Sequence, residues 1–215
     1  MMHALCIVVL APEAPLDTSA ITDRINVVFD PYYENLRVDP YKEYHRNLAD
    51  AIEFYKTPVA LNPDGTYVVD DTFINIVSDY YGNMPLLLGP GQDEEGVYTW
   101  TQLNPNGRWD WWEIGGRWKR YFQTTDGAEI DITRKSLITM DQDLNPSALV
   151  DLLGVWHGPK RVFEREDYEQ LIQPDKVDEY RAIQTEYDEE WLIRFSRLWK
   201  NVSPKSVVVA VDYHS

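Results

Sequence analysis

The pattern of apolar and polar positions predicts buried strands at both ends of the chain. His3–Leu10 is an apolar, partly β-branched run that stops at Ala11-Pro12, and SVVVAVDYH (206–214) is a second such run. Runs of this length, bounded by turn residues, are typical of buried strands. Because both runs are apolar on both faces, we expect the two strands to lie centrally in one sheet.

Apolar positions that recur every three or four residues predict four helices. Asp17-Thr18-Ser19 can cap a first helix, which must stop before Pro31. A second helix is predicted from Pro40 to about Lys56, and a third over Phe73–Tyr81. The last and longest is predicted over Asp175–Lys200, where an apolar stripe follows one face.

Between these helices the sequence predicts shorter strands over Val97–Leu103, Trp118–Gln123 and Ala148–Trp156, and a surface loop at GPGQDEEG (89–96). No internal repeat or linker divides the chain. We therefore predict one α+β domain over residues 1–215, with a mixed sheet, central N- and C-terminal strands, a long C-terminal helix and a Trp-rich segment at 97–123. A ferredoxin-like core is the preferred topology.

Composition indicates a folded protein of the reducing cytoplasm. The chain is 44% hydrophobic and 13% aromatic, and its one cysteine, Cys6, lies within the first apolar run. A single thiol forms no intramolecular disulfide. The N-terminal apolar run is too short to span a membrane and lacks the basic flank of a signal peptide, so we expect no membrane association.

The net charge of −16 argues against general binding to nucleic acids or anionic membranes, which favour basic surfaces. Residues 1–106 carry a net charge of −11 and residues 121–215 carry −7, whereas Gly107–Arg120 carries four basic and two acidic side chains. The acidity is explained by solubility or a salty habitat, or by imitation of a nucleic-acid backbone. In either case Gly107–Arg120 is a basic island.

This basic island lies in NPNGRWDWWEIGGRWKR (104–120), which we interpret as a ligand site. Gly115-Gly116 can bring backbone amides close to an anion, and Arg117 can clamp a phosphate or carboxylate. Indole faces beside such a clamp suit a nucleobase. The equally economical alternative is a packing cluster in which Gly-Gly forms a bulge. The predicted ligand-binding residues are Trp109, Asp110, Trp111, Trp112, Gly115, Gly116, Arg117, Trp118 and Lys119.

The block NPNGRWDWWEIGGRW (104–118) resembles N-P-x-x-K/R-W-D-W-x-x-I-G-G-R-W in poorly characterised proteins encoded mainly by tailed phages and their actinobacterial hosts. PYYEN (31–35), LLGVWHG (152–158) and VVVAVDYH (207–214) are similar to further segments of that family, in the same order. The chain departs from this family around residues 158–175, where the relatives carry a Gly/Trp-rich GWWG segment and this sequence has GPKRVFEREDYEQ. The resemblance implies a viral or mobile-element origin and assigns no catalytic residue.

The four histidines show no spacing typical of a metal site, so none is predicted. If the terminal strands are neighbours, His3, Asp212 and His214 could converge, although a structural pair at a strand end is the favoured interpretation. His157 is the best candidate for a general base in catalysis, with Glu164 or Glu166 to orient it.

Three functions follow from these patterns. The first is a binding protein for a small anionic, nucleotide-like ligand in a Trp/Gly-Gly/Arg pocket. The resemblance to phage proteins implies that it could act in a host cell as a phage accessory or counter-defence protein. The second is an acidic, nucleic-acid-mimicking inhibitor of a basic host protein. The third is an enzyme that processes a nucleotide or phosphate ester through His157. The sequence does not indicate a cofactor.

Overall fold

A computed structural model describes residues 3–45, 58–80, 91–139, 142–159 and 177–214. The described residues form two compact units. The first comprises the described parts of Met1–Leu36, Asn104–Val162 and Asp178–Ser215, and the second those of Arg37–Leu103 and Phe163–Val177. The Trp-rich segment 97–123 is therefore divided between the units after Leu103.

Eleven strands and three α-helices lie in the described part of the chain. In chain order they are β1 (His3–Leu10), α1 (Thr18–Phe29), β2 (Tyr41–His45), α2 (Asp71–Tyr80), β3 (Gly91–Asp93), β4 (Gly96–Thr101), β5 (Trp111–Ile114), β6 (Phe122–Gln123), β7 (Glu129–Ile130), β8 (Ile132–Arg134), β9 (Ala148–Val150), β10 (Trp156–His157), α3 (Val177–Asn201) and β11 (Val207–His214).

The two terminal strands form the centre of the sheet in the first unit, as the sequence predicts. β1 and β11 pair antiparallel over their full length, from His3 opposite His214 to Leu10 opposite Val207. Every residue of β11 is buried. Their β-branched side chains suit a strand that is covered on both faces.

The remaining strands give this sheet both parallel and antiparallel pairs. β9 pairs parallel to β1, and β10 pairs antiparallel to β9, which gives the order β10-β9-β1-β11-β5. Along the other edge of β11, β8 pairs with Val207–Val209 and β5 with Val211–His214. In a ferredoxin-like core another strand separates β1 from the next parallel strand. Here β9 lies directly beside β1, so the topology differs from that arrangement.

One helix covers each face of the sheet. Asp17 caps α1, as predicted, by accepting a hydrogen bond from the Ala20 amide. Residues Ile21, Ile25 and Phe29 of α1 are buried against one face. On the opposite face, Trp191 and Phe195 from the stripe of α3 pack against alternate residues of β1 and β11. The long C-terminal helix is thus confirmed.

The second unit is a small α+β assembly. Its antiparallel sheet has the order β2-β4-β3, and α2 contributes Phe73 and Val77 to a core that includes Val97. The prediction of a helix from Pro40 is wrong over Tyr41–His45, where β2 pairs with β4. The remainder of that predicted helix lies outside the described residues.

The difference in β2 has a physical cause in cross-strand contacts. Tyr44 packs edge-to-face on Tyr98 of β4, at a ring-centroid distance of 5.7 Å. Lys42 forms an ion pair with Asp93 of β3 and lies over the Tyr98 ring. Cross-strand pairs of aromatic and charged residues stabilise a strand. Here their contribution outweighs the weak preference for a helix that the three-residue spacing of the tyrosines indicates.

Other predicted strands change in extent. Of the predicted loop at 89–96, residues Gly91–Asp93 form β3 and pair with β4. The strand predicted over Trp118–Gln123 is reduced to β6, and the one over Ala148–Trp156 is a hairpin in which β9 and β10 flank a turn. Gly154 in this turn has φ of +77°, a conformation that a continuous strand does not contain.

Candidate functional site

Three of the four tryptophans in the predicted site are partly buried and pack against the cores of the first unit. Trp109 donates a hydrogen bond from Nε1 to the Phe29 carbonyl at 2.8 Å, and Trp112 packs edge-to-face on the Phe29 ring. Trp118 packs on the face that α3 covers. Trp111 is 43% exposed, whereas the other three are partly buried. In an uninterrupted strand Trp109 would share a face with Trp111, but β5 begins only at Trp111.

Residues 31–35, 104–118, 152–158 and 207–214 all belong to the first unit. Asn104 donates to the carbonyls of Pro31 and Tyr33 at 2.8 and 3.0 Å. The Tyr32 hydroxyl donates to the Gly154 carbonyl and accepts from the Trp156 amide, both at 3.0 Å. Strand β11, the fourth segment, pairs with β5. Much of the block therefore fixes the fold.

The Gly115-Gly116 turn lies against two aspartates of the protein itself. Gly115 and Gly116 have φ of +74° and +50°, values that favour glycine. A Cβ atom at Gly115 would lie 2.7 Å from Oδ2 of Asp131, and one at Gly116 would collide with Asp212. The Arg117 amide donates to Oδ2 of Asp212 at 2.9 Å. This backbone donor, which the sequence assigns to an external anion, thus binds a carboxylate of the chain.

The side chains of Arg117 and Lys119 are exposed. Their guanidinium and ammonium groups are therefore accessible to a ligand next to the turn. Joint ligand binding by the nine predicted residues stays a prediction. In the described structure most of the indoles pack on neighbouring residues, the Gly115-Gly116 turn holds Asp212, and the side chains of Arg117 and Lys119 are exposed.

Asp212 joins this turn to His3. It is 1% exposed, and its Oδ1 lies 2.9 Å from Nδ1 of His3, across the β1–β11 pair. Since a carboxylate only accepts, the imidazole Nδ1 is the donor. Strand alternation places both side chains on the sheet face that α3 covers farther along. The hydrogen bond fixes the His3 ring and leaves Nε2 as its other ring nitrogen.

A second aspartate–histidine pair lies beside the first. Nδ1 of His214 is 2.6 Å from Oδ1 of Asp110, and the Asp110 amide donates to the His214 carbonyl. The ring centroids of His3 and His214 are 5.3 Å apart, and the Trp111 ring lies 5.9 Å from His3. We call His3, Asp110, Trp111, Asp212 and His214 the terminal-strand site.

The predicted general base, His157, belongs to a separate pair. Its Nε2 lies 2.9 Å from Oδ2 of Asp151, whereas Glu164 and Glu166, the predicted partners, lie outside the described residues. Partial burial alone raises the pKa of Asp151, but hydrogen bonds from His157 and two backbone amides lower it below its ordinary value. His157 is level with Ile7, about 13 Å along β1 from His3.

Other groups offer less chemistry. Burial raises the pKa of the Cys6 thiol and makes it a poor nucleophile. Among the described residues, no three or more His, Cys, Asp or Glu side chains are placed to hold a metal ion. An open depression in the second unit has Asp93 and Glu94 in its lining, and its described lining residues include no histidine, lysine or arginine. No described helix is long and apolar enough to cross a membrane.

The terminal-strand site can therefore bind a polar group or move protons. Within the described residues, neither Nε2 of His3 nor Nε2 of His214 has a hydrogen-bond partner. A carboxylate on Nδ1 sets the tautomer in which Nε2 can accept a proton or, once protonated, donate one. No protein-family model, curated protein or solved structure matches this chain.

Proposed function

We propose that this chain binds a small anionic, nucleotide-like ligand at the terminal-strand site. The observation that carries the proposal is the exposed indole of Trp111 beside two imidazoles, each held by its own aspartate. An accessible indole next to groups that can bear positive charge suits a ligand with an aromatic ring and a phosphate.

The polar half of the ligand would contact His3 and His214. Their Nδ1 atoms are occupied by Asp212 and Asp110, so Nε2 is the atom of each ring that can donate to a phosphate oxygen. The Arg117 amide binds Asp212, which places the residue beside the site while its side chain stays exposed. A guanidinium can then bind the phosphate through two hydrogen bonds.

The aromatic half of the ligand would stack on Trp111. Trp109 and Trp112 pack on Phe29 and are partly buried, whereas Trp111 is 43% exposed. Base–aromatic stacking contributes about 1–3 kcal/mol. That contribution is large enough to make affinity depend strongly on one side chain.

The cellular role in this proposal is that of a phage accessory protein that sequesters a host signalling nucleotide and so weakens a defence response. The support for it is the resemblance of residues 104–118 to proteins of tailed phages and their actinobacterial hosts. The site would then act in the cytoplasm of the host cell. Its expected ligand is a mononucleotide or a dinucleotide.

Titration calorimetry with the four common ribonucleoside monophosphates, thymidine 5′-monophosphate and linear and cyclic dinucleotides tests the binding proposal. We expect at least one of these probes to bind. Trp111→Ala should weaken its binding roughly 5- to 100-fold, and Arg117→Ala should weaken it about tenfold or more. Lys205→Ala, which removes an exposed cation elsewhere in the first unit, is the matched control.

Three outcomes would contradict the proposal: binding of none of these probes, binding that both variants leave unchanged, or equal loss in the control. The acidic-inhibitor alternative gives a different pattern. Affinity for a basic protein such as lysozyme would fall steeply with added salt, and Arg117→Ala would have no effect.

A further inference from the structure

We infer that the two histidines of the terminal-strand site form a general base and general acid that hydrolyse a phosphodiester in the bound ligand. This inference rests on the proposed function, because it assigns a reaction to the same site. The observation behind it is the duplication: two imidazoles with ring centroids 5.3 Å apart, each fixed through Nδ1 by a different aspartate. Binding one phosphate requires neither the duplication nor the two fixed tautomers.

His3 is the general base. Its partner Asp212 is 1% exposed, and a buried carboxylate is little screened by water. It therefore stabilises the imidazolium that forms when Nε2 of His3 takes a proton. Gly116 and the Arg117 amide hold this carboxylate from the other side, so the ring has a fixed orientation before the substrate binds.

His214 is the general acid. Its side chain is 11% exposed and that of its partner Asp110 is 34% exposed, so a substrate reaches this ring from the strand end. The His214 ring is the direct cross-strand neighbour of His3. With ring centroids 5.3 Å apart, the two imidazoles are close enough to serve the same phosphoryl group, one at the attacking and one at the leaving oxygen. Asp110 and Asp212 act as positioning residues.

The reaction consumes one water molecule. Nε2 of His3 takes a proton from water as the water oxygen bonds to phosphorus and the bond from phosphorus to the ester oxygen breaks. Protonated His214 gives its Nε2 proton to the leaving oxygen, and the products are a phosphomonoester and an alcohol. Proton exchange with solvent then returns His3 to its neutral form and His214 to its protonated form. No electron is transferred.

Two substrates with different leaving groups separate the two roles. Thymidine 5′-(4-nitrophenyl phosphate) releases nitrophenolate, which needs no proton, whereas thymidylyl-(3′→5′)-thymidine releases an alkoxide that does. His3→Gln should lower kcat/KM for both substrates by about 10²- to 10⁴-fold. His214→Gln should lower it that much for the dinucleotide and far less for the nitrophenyl ester.

Asp212→Asn tests the positioning role. His3 and the Arg117 amide donate to different oxygens of Asp212, and asparagine replaces one of these oxygens with an NH2 group that cannot accept. We expect kcat to fall, the low-pH limb of its pH profile to move, and KM to change little. Thermal unfolding of each variant shows whether the first unit has stayed folded. His3→Gln, at a partly exposed strand end, carries less risk to the core and tests the general base itself.

The outcomes distinguish this inference from the binding proposal. Thymidine 5′-monophosphate that binds to a wild-type protein with no turnover of either substrate overturns the hydrolytic inference and leaves binding intact. Failure of all nucleotide probes to bind overturns both. Turnover that survives His3→Gln but is lost in His157→Leu would move the reaction to the Asp151–His157 pair, and turnover that requires an added divalent cation would replace acid–base chemistry with metal chemistry.

Discussion

Gly116 lies so close to Asp212 that a Cβ atom at residue 116 would be 2.8 Å from the Asp212 Cγ atom. The carboxylate that faces this glycine is the one that holds His3. Glycine is needed here for two reasons, since its φ of +50° disfavours L side chains and the approach of Asp212 leaves no room for one.

Gly116→Ala should therefore destabilise the first unit by more than the backbone conformation alone requires. The positive φ costs roughly 1–2 kcal/mol, and displacement of Asp212 from His3 adds to it. Gly127→Ala is the matched control, because Gly127 has φ of +85° and nothing within 4 Å of its added Cβ. Urea denaturation should show the larger loss for Gly116→Ala; equal losses would contradict the contact with Asp212.

His157→Leu should change how stability depends on pH. Partial burial raises the pKa of Asp151, yet the hydrogen bonds from His157 and the Val155 and Leu153 amides leave it lowered. A carboxyl with a lowered folded pKa contributes stability above its unfolded pKa and loses it as pH falls through the folded value. The free energy of unfolding of the wild type should thus exceed that of His157→Leu at pH 7, and this difference should shrink below about pH 4.

NMR titration of the aspartate carboxyl carbons measures this directly. The Asp151 pKa should rise in His157→Leu. The Asp126 carboxyl, whose pKa is lowered mainly by the Thr124 hydroxyl in a distant turn, is an internal control and should not move. An unchanged Asp151 titration would show that the two amides alone hold the carboxylate.

Tyr32→Phe should destabilise the first unit although the ring is kept. The hydroxyl donates to the Gly154 carbonyl and accepts from the Trp156 amide, so its removal leaves two backbone groups without their partner. We expect a loss of about 1–3 kcal/mol in thermal unfolding. Tyr33→Phe retains the ring contact with Trp109 and should have a smaller effect. The reverse order would show that Tyr32 does not join these segments.

Lys135→Met should loosen the C-terminal end of α3. The ammonium donates to the carbonyls of Trp199 and Val202 at 2.5 and 2.7 Å and lies over the Trp199 ring. The C-terminal end of a helix leaves carbonyls without partners inside the helix, and a cation there also interacts favourably with the negative end of the helix dipole. We expect a loss of about 1–3 kcal/mol and faster amide exchange in the last turn. Lys205→Met, at an exposed lysine, should change neither.

The central strands and the first helix of the first unit could be predicted because short, local stretches of sequence specify them. The β-branched runs of β1 and β11 identify central strands, and Asp17 marks the start of α1. The segment after Pro40 could not be predicted, because tyrosines three residues apart fit either a short helix or a strand. Its pairing with β4, a contact between distant parts of the sequence, decides the structure.

The candidate site was predictable only in part for the same reason. Convergence of His3, Asp212 and His214 follows once the terminal strands are taken as neighbours, and it is found. The link between Asp110 and His214 could not be predicted, because it depends on the pairing of β5 with β11, which no local pattern indicates. The sequence does indicate the conformational freedom of Gly115-Gly116. It does not indicate that the carboxylate bound at this turn is Asp212 of β11, because that contact joins distant parts of the chain.

The place of β11 in the sheet has a consequence for synthesis on the ribosome. This strand follows all its sheet partners in the sequence, yet it lies between β1 and the short strands β5 and β8. Until β11 leaves the exit tunnel, β1 has an apolar edge with no antiparallel partner, and such edges invite aggregation. We therefore expect the nascent first unit to remain a chaperone client until its last strand emerges, and its sheet to close as a late, slow step.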